Sequence, residues 1–412
     1  MGRRIVVTGV SVISPLGSDK QVFWEGLIQG TTGIRHITHF DASAFSSQIA
    51  GEVDDSVLTI HLSPRELRRN SRYLSLALAG SSLAVRDASL GPEQLAGPRT
   101  GVVVGTAIGP VAAIEEQVVV SREAGIGRVS PFLSFMGIAH SAASAICINL
   151  SIPGPARTMA TGCIGGIDAV GYALDEIRRG TIDIAIAGAA EAPICPVALA
   201  SLCNTGMLSI ANGSPATASR PFDRRHNGFV LSEGAAFVIL ECLDRARDRG
   251  AHIYGEVLGY GSSSDAYHLF DVDPTGAGFV GAMQSALKDA GIEPRQIDYI
   301  NAHAPSIETT DRAEAKAIGQ VLQQRGHGVP VSSIKGHLGQ AFAASNVQQI
   351  ITSLFALQNQ MVPPTANFEE QDPECEVDCS AAPRPHHIET ALINAHTLGG
   401  SNSSLVIGKV AP

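Results

Sequence analysis

Apolar residues along this chain alternate between short continuous runs and longer stretches with helical spacing. Residues 4–10, 101–105 and 182–187 are continuous apolar runs, the pattern of buried strands. They lead into Ser14-Pro15-Leu16-Gly17, into Thr106-Ala107-Ile108-Gly109-Pro110 and into Gly188, all turn material. Residues 156–159 form a further extended run. After a glycine-containing corner, Ile167, Val170, Leu174 and Ile177 recur at helical spacing, Arg178 and Arg179 fill the last turn, and Gly180 ends it. The rhythm then restarts. Residues 253–260 and 299–302 read as strands, 279–290 and 310–322 as helices, and 329–333, 391–395 and 404–407 as later strands. Two β-led halves, each with a reactive residue after a strand, predict a duplicated α/β unit. The division falls near Gly250, giving halves 1–250 and 251–412. No linker rich in Pro, Gly or charge separates them, so they are expected to pack as one body.

Composition narrows the function classes. The 412 residues are 44% hydrophobic and 17% charged, enough for a large core. No apolar stretch reaches the length of a membrane span and no signal-peptide core opens the chain, so a cytoplasmic protein is expected. The net charge of −10 argues against nucleic acid as a partner. Seven scattered cysteines without a Cys-x-x-Cys pair argue against disulfides and zinc, with Cys375 and Cys379 as bystanders. No nucleotide motif or organic cofactor is implied. One basic cluster stands out, Arg65, Arg68, Arg69 and Arg72, after a helix start at Ser63-Pro64-Arg65-Glu66 with capping-box spacing. These arginines fall largely on one helical face, which by itself reads as a solvated surface.

The candidate chemistry begins at Ala160-Thr161-Gly162-Cys163-Ile164-Gly165-Gly166. A cysteine at a strand-to-helix corner lies at the positive end of a helix dipole, which favours the thiolate. An activated nucleophile and a small buried thiol both fit that segment alone. Tyr299-Ile300-Asn301-Ala302-His303 puts a histidine at a strand end, and Ser332-Ser333-Ile334-Lys335 puts a lysine at another. Asn394-Ala395-His396-Thr397-Leu398-Gly399-Gly400-Ser401-Asn402 is a glycine-containing turn between late strands. A lone histidine at a strand end is more often structural; the combination carries the signal.

With Arg4-Ile5-Val6-Val7-Thr8-Gly9, Arg220-Pro221-Phe222-Asp223, Asn227-Gly228-Phe229-Val230-Leu231-Ser232-Glu233-Gly234, Asp265-Ala266-Tyr267-His268 and Val362-Pro363-Pro364-Thr365-Ala366-Asn367, these segments resemble the β-ketoacyl synthases, most closely the ketosynthase-α subunits of type II polyketide systems. The resemblance implies a thiolase fold, a five-layered αβαβα body. It implies an acyl chain taken onto Cys163 from the phosphopantetheine arm of an acyl carrier protein, then decarboxylative condensation with a malonyl extender. The N–H groups of Cys163 and Leu398 would form the oxyanion hole. His303 would stabilise the enolate, and Lys335, Asp311 and Glu314 would set the electrostatics around the histidines. Ile108, Leu202 and Phe229 would line the acyl pocket. The arginines at 65, 68, 69 and 72 would dock the carrier protein, which displaces the solvated-face reading. A dimer is implied, homodimeric or with a chain-length-factor-like subunit, with residues 130–146 reaching across the interface.

The chain departs from the family pattern in the machinery that holds the extender. The second histidine of that pattern stands five residues after the lysine; here that position is Gln340, and the nearby His337 is out of register. A glutamine amide can donate to an enolate oxygen but cannot titrate. After His303 the two expected hydroxyls give way to Ala304-Pro305-Ser306-Ile307, and Ile164-Gly165 replaces a Thr-Ser pair. The late Phe-Gly-Phe-Gly-Gly turn has become His396-Thr397-Leu398-Gly399-Gly400, where His396 either fills the space of a Phe or brings an imidazole to the site. Two further readings follow: a non-decarboxylating acyltransferase that passes the acyl group to another nucleophile, and a non-catalytic partner subunit, against which the retained Cys163 argues.

Overall fold

The apolar runs become the strands of one mixed sheet. The structure, a computed structural model, describes residues 2–322 and 328–411. In chain order the strands are β1 (Ile5–Ile13), β2 (Thr100–Gly105), β3 (Ala156–Met159), β4 (Ile184–Glu191), β5 (Gly234–Cys242), β6 (Gly255–Ser264), β7 (Tyr299–Asn301), β8 (Val331–Ser332), β9 (Thr390–Thr397) and β10 (Ser401–Gly408). Their spatial order is β8-β7-β9-β10-β6-β1-β5-β4-β2-β3. Outward from β1 the first half runs β1-β5-β4-β2-β3, antiparallel twice and then parallel twice. Outward from β6 the second half runs β6-β10-β9-β7-β8 with the same alternation of directions. The two halves therefore share one topology. They meet where Ile5–Val7 of β1 pairs with Gly255–Val257 of β6.

The helices that matter to the site are α1 (Pro64–Arg69), α2 (Arg72–Asp87), α3 (Ser141–Leu150), α4 (Gly165–Arg178), α5 (Ala277–Ala290), α6 (Glu308–Leu322) and α7 (Phe342–Asn359). Helix α2 packs on β1, β5 and β4, and α3 on β2, covering the outer face of the first half. On the second half α5 packs on β6 and β10 and against α6. Helices α4 and α7 fill the space between, touching each other and strands of both halves. The result is the five-layered αβαβα thiolase fold. The central helices are buried accordingly: every residue of α7 from Phe342 to Leu357 is buried. A Cβ on Gly166 of α4 would collide with the carbonyl of Ala343 in α7, so these two helices meet nearly backbone to backbone.

The arginine-bearing segment is not one helix. Helix α1 ends at Arg69, and Ser71 caps a new helix by accepting from the Leu74 N–H at 3.3 Å. Arg65, Arg68 and Arg69 are exposed, but Arg72 turns inward. It forks onto Glu233, Nε–Oε2 2.6 Å and Nη2–Oε1 2.7 Å, and reaches Asp55 at 2.5 Å. The expected four-arginine face therefore holds three. A fully buried carboxylate must be paired, and that need takes Arg72 out of the surface. No helix among the described residues is long and apolar enough to cross a membrane.

Candidate active site

The end of β3, the loops after β7 and β8, and the turn between β9 and β10 bring Cys163, His303, Gln340 and His396 to one cavity of about 690 Å³. Leu202, Phe229 and Phe342 form part of its apolar wall, and Leu398 also lines it. Ile108 does not; it is 38% exposed on the loop after β2. The expected acyl wall thus keeps Leu202 and Phe229 and loses Ile108 within this single chain.

Cys163 sits in a short 3₁₀ turn, Gly162–Ile164, just before α4. Gly162 is left-handed at φ 71°, and a Cβ there would strike the Thr397 hydroxyl. The thiol is not the resting thiolate that its place near a helix start predicts. Burial pushes it up to about 11; hydrogen bonds from Thr397 and Gln340 and the charge of Lys335 pull the other way, and Glu191 adds to the rise. The burial cost of a thiolate outweighs the helix dipole. Glu191, itself fully buried and pushed up to about 8 by burial, keeps one carboxyl oxygen without a partner.

The backbone N–H of Cys163 donates to Thr397 Oγ1 at 2.9 Å. That N–H is the expected oxyanion donor, and a side-chain hydroxyl already occupies it. Thr397 stands where the family pattern has glycine, so the substitution was visible in the sequence, but its consequence required the fold.

His303 is held through its backbone. Its N–H and that of Ala304 donate to Glu314 at 2.9 and 2.7 Å, and Lys335 Nζ donates to its carbonyl. Burial, then the charge of Lys335 and the neighbouring His396, lowers the imidazole well below its ordinary value, so it is neutral at pH 7. Its Nδ1 has no partner among the described residues. Lys335 is fully buried and brought down to about 8 by burial, against the pull of Glu314, Asp311 and Cys163. Its second acceptor is Gln349 Oε1 at 3.2 Å, and the Gln349 amide in turn donates to the Ala302 carbonyl at 2.8 Å. Gln349 thus joins the lysine to the histidine loop, a role the sequence reading did not foresee. Asp311 lies one step further out. It accepts from the Phe222 and Ser306 N–H groups at 2.9 and 3.2 Å and faces His226 Nδ1 at 3.1 Å.

Gln340, and not His337, faces the cavity. The Gln340 backbone is pinned by its N–H to the Val230 carbonyl at 2.8 Å and its own carbonyl to the Ser232 N–H at 3.0 Å. Its Oε1 has no partner. His337 is fully buried elsewhere, with its ring nitrogens 2.9 Å from the Thr31 carbonyl and 3.0 Å from the Pro364 carbonyl. In the loop after His303 the Ser306 hydroxyl accepts from the Arg220 N–H at 2.9 Å, while Pro305 and Ile307 line the cavity.

His396 does reach the site. Its ring lies 5.9 Å from that of His303, stacks on Phe279 at 5.2 Å, and its Nδ1 is 3.0 Å from Asn402 Oδ1. It occupies aromatic space and brings an imidazole to the cavity as well.

This geometry agrees with comparison to known proteins. Residues 2–246 match the β-ketoacyl synthase N-terminal domain and 254–369 its C-terminal domain. The chain belongs to the β-ketoacyl synthase family. It is 38% identical over 408 residues to 3-oxoacyl-[acyl-carrier-protein] synthase 2 of Synechocystis, covering 99% of this chain and 98% of that one. To the tetracenomycin polyketide synthase ketoacyl synthase alpha subunit of Streptomyces glaucescens it is 36% identical over 422 residues, covering 99% and 97%. The ishigamide ketosynthase/chain length factor superposes with TM-score 0.93 at 32% identity over the full length of both chains. A ketosynthase bound to a hexaketide, in complex with its type II polyketide acyl-carrier protein, gives TM-score 0.92 at 33% identity, again over both full lengths. As a β-ketoacyl synthase this chain keeps the nucleophile, His303, Lys335 and Glu314, and departs at Gln340, His396, Thr397 and Leu398.

Proposed function

We propose that this synthase carries out decarboxylative condensation in type II polyketide or polyene assembly, with Gln340 as the second hydrogen-bond donor. In the first half-reaction the Cys163 sulfur attacks the thioester carbon of an acyl carrier protein, and the carbon–sulfur bond to the pantetheine arm breaks, its sulfur taking the proton. In the second, a malonyl group loses carbon dioxide. Its enolate oxygen is held between His303 and the Gln340 amide, and the enolate carbon attacks the acyl carbon on Cys163, releasing the thiol. The observation that carries this reading is Gln340 in the wall shared with Cys163 and His303, while His337 is tied to two carbonyls elsewhere. A neutral His303 can hydrogen-bond the developing enolate without needing to lose a proton first.

The carrier protein is the only source of the arm; no resident cofactor is required, and the reaction is cytoplasmic. Carrier-protein docking falls to Arg65, Arg68 and Arg69, a basic exposed patch on an acidic chain. A partner subunit, a second copy or a chain-length-factor-like chain, would cover the free edge of β3 and the exposed Ile108, Ile114, Ile126, Phe132 and Ile138.

Intact-protein mass spectrometry with acyl and malonyl carrier proteins tests the reading. Wild type gains an acyl mass, Cys163→Ala does not, and malonyl carrier protein converts the load into an extended β-keto product with release of carbon dioxide. Gln340→Ala lowers that release by roughly 10²–10³-fold, the usual loss for a preorganised oxyanion donor. An acyl load that persists in the presence of malonyl carrier protein refutes decarboxylative condensation.

A further inference from the structure

The orientation of His396 can be settled from its neighbours. Asn402 Nδ2 lies 2.7 Å from Asp265 Oδ1 and 3.1 Å from the Gly400 carbonyl, and both of these partners only accept. The amide nitrogen must face them, so the amide oxygen faces His396, 3.0 Å from Nδ1. In the neutral ring Nδ1 therefore carries the hydrogen, and Nε2 is left with its lone pair. His396 lines the cavity with Cys163 and His303, and Nε2 is the nitrogen left for what the cavity binds. In this tautomer His396 cannot donate to an enolate oxygen, so it does not replace the imidazole missing at position 340. It can only receive a proton.

We infer that His396 is a general base, poised by Asn402 and Asp265, which lets this site pass the acyl group of Cys163 to a hydroxyl acceptor. The inference rests on the proposed loading of Cys163 but not on decarboxylation. Nε2 takes the hydroxyl proton as the oxygen bonds to the acyl carbon; the carbon–sulfur bond then breaks, its electron pair stays on sulfur, and the imidazolium returns the proton to that sulfur. The products are an ester, or a free acid when the hydroxyl is water, and the Cys163 thiol. Hydroxyls need such a base at neutral pH, whereas a malonyl extender generates its own nucleophile by losing carbon dioxide. The charged and titratable groups around His396 are Asp265 beyond Asn402, His303 across the cavity and Lys335 behind His303. Burial lowers the pKa of His396 against the pull of Asn402 and Asp265, so the base form prevails at pH 7.

The test starts from full-length enzyme pre-acylated on Cys163 with octanoyl-pantetheine and follows a single turnover after 1-butanol is added. Butyl octanoate forms in wild type and about 100-fold more slowly in His396→Phe. Octanoic acid released with the same dependence on His396 identifies water as the hydroxyl source. Asp265→Asn keeps an acceptor for Asn402 but removes the charge, so the rising limb of the pH–rate profile moves to lower pH. A purely structural role for Asp265 would not move that limb. Equal rates in wild type and His396→Phe, or an unmoved limb in Asp265→Asn, overturn the inference and leave the condensation reading standing. Absence of any acyl mass on Cys163 overturns both.

Discussion

Replacing Thr397 with glycine should make Cys163 a better acyl acceptor and a poorer alkylation target at once. The Cys163 N–H donates to Thr397 Oγ1 at 2.9 Å, so a thioester oxygen that uses this N–H must first displace the hydroxyl. A neutral hydrogen bond is worth about 1 kcal/mol net, and about 1.36 kcal/mol is a factor of ten in rate, so removing the competitor accelerates acylation about fivefold. The same hydroxyl hydrogen-bonds the Cys163 sulfur and helps draw the thiol down toward about 11; without it the thiol rises further and every reaction of the sulfur slows. Iodoacetamide reports only that second effect, because alkylation builds no oxyanion. The quantity to measure is the acylation rate with octanoyl-pantetheine divided by the alkylation rate at the same pH. Thr397→Gly raises this ratio about fivefold. Thr397→Val leaves it unraised, because a methyl group covers the N–H without accepting from it. A ratio that falls tenfold or more in Thr397→Gly would refute the reasoning, since the hydroxyl would then be a transition-state donor and not an occupant of the hole.

Two further outcomes test the supporting structure. Arg72→Ala leaves the fully buried Glu233 without its forked partner and should cost about 3–5 kcal/mol in urea unfolding. The double change Arg65→Glu with Arg68→Glu leaves the midpoint unmoved and weakens carrier-protein binding in calorimetry; equal destabilisation by both variants would contradict the division of the arginine cluster. His226 lies 3.1 Å from Asp311 and 2.9 Å from Asp372. Burial opposes its charge, but these two carboxylates win and its pKa is raised. A raised histidine stabilises fully below its unfolded value of about 6.5 and loses that contribution as pH climbs through the folded value. The stability difference between wild type and His226→Gln should therefore shrink from about pH 6 to about pH 9; a difference that grows with pH would reverse the assignment of charge.

The strands and the amphipathic helices were legible because one apolar face leaves a periodic trace. Helix α7 left none. It is buried on every side, and Ser345, Asn346, Gln348, Gln349, Thr352 and Ser353 interrupt its apolar residues. Some of those polar groups serve the site: Gln349 carries the link from Lys335 to the His303 loop. Register arithmetic chose Gln340 over His337 correctly, because five residues from the lysine fix the turn whichever side chain fills it. Charge could not be read the same way. The sequence places Cys163 near a helix start, which favours the thiolate, yet its burial against Phe229 and Phe342 dominates and leaves a thiol pushed up to about 11.

The substitutions gain meaning when placed side by side. Three of them, His396, Thr397 and Leu398, are consecutive at the end of β9, and Gln340 lies across the same cavity. Each alters a different element of the reaction: the enolate donor at 340, the oxyanion donor covered by Thr397, and proton acceptance at His396. Glu314 and Lys335, which hold the His303 backbone, are unchanged, so the scaffold that orients the nucleophile and His303 is kept while the groups that handle protons and oxyanions are exchanged. A decaying site has no reason to acquire a tautomer-fixed imidazole backed by Asn402 and Asp265 beside an intact nucleophile. The arrangement fits selection for a different second half-reaction, with the loading of Cys163 as the step that both outcomes share.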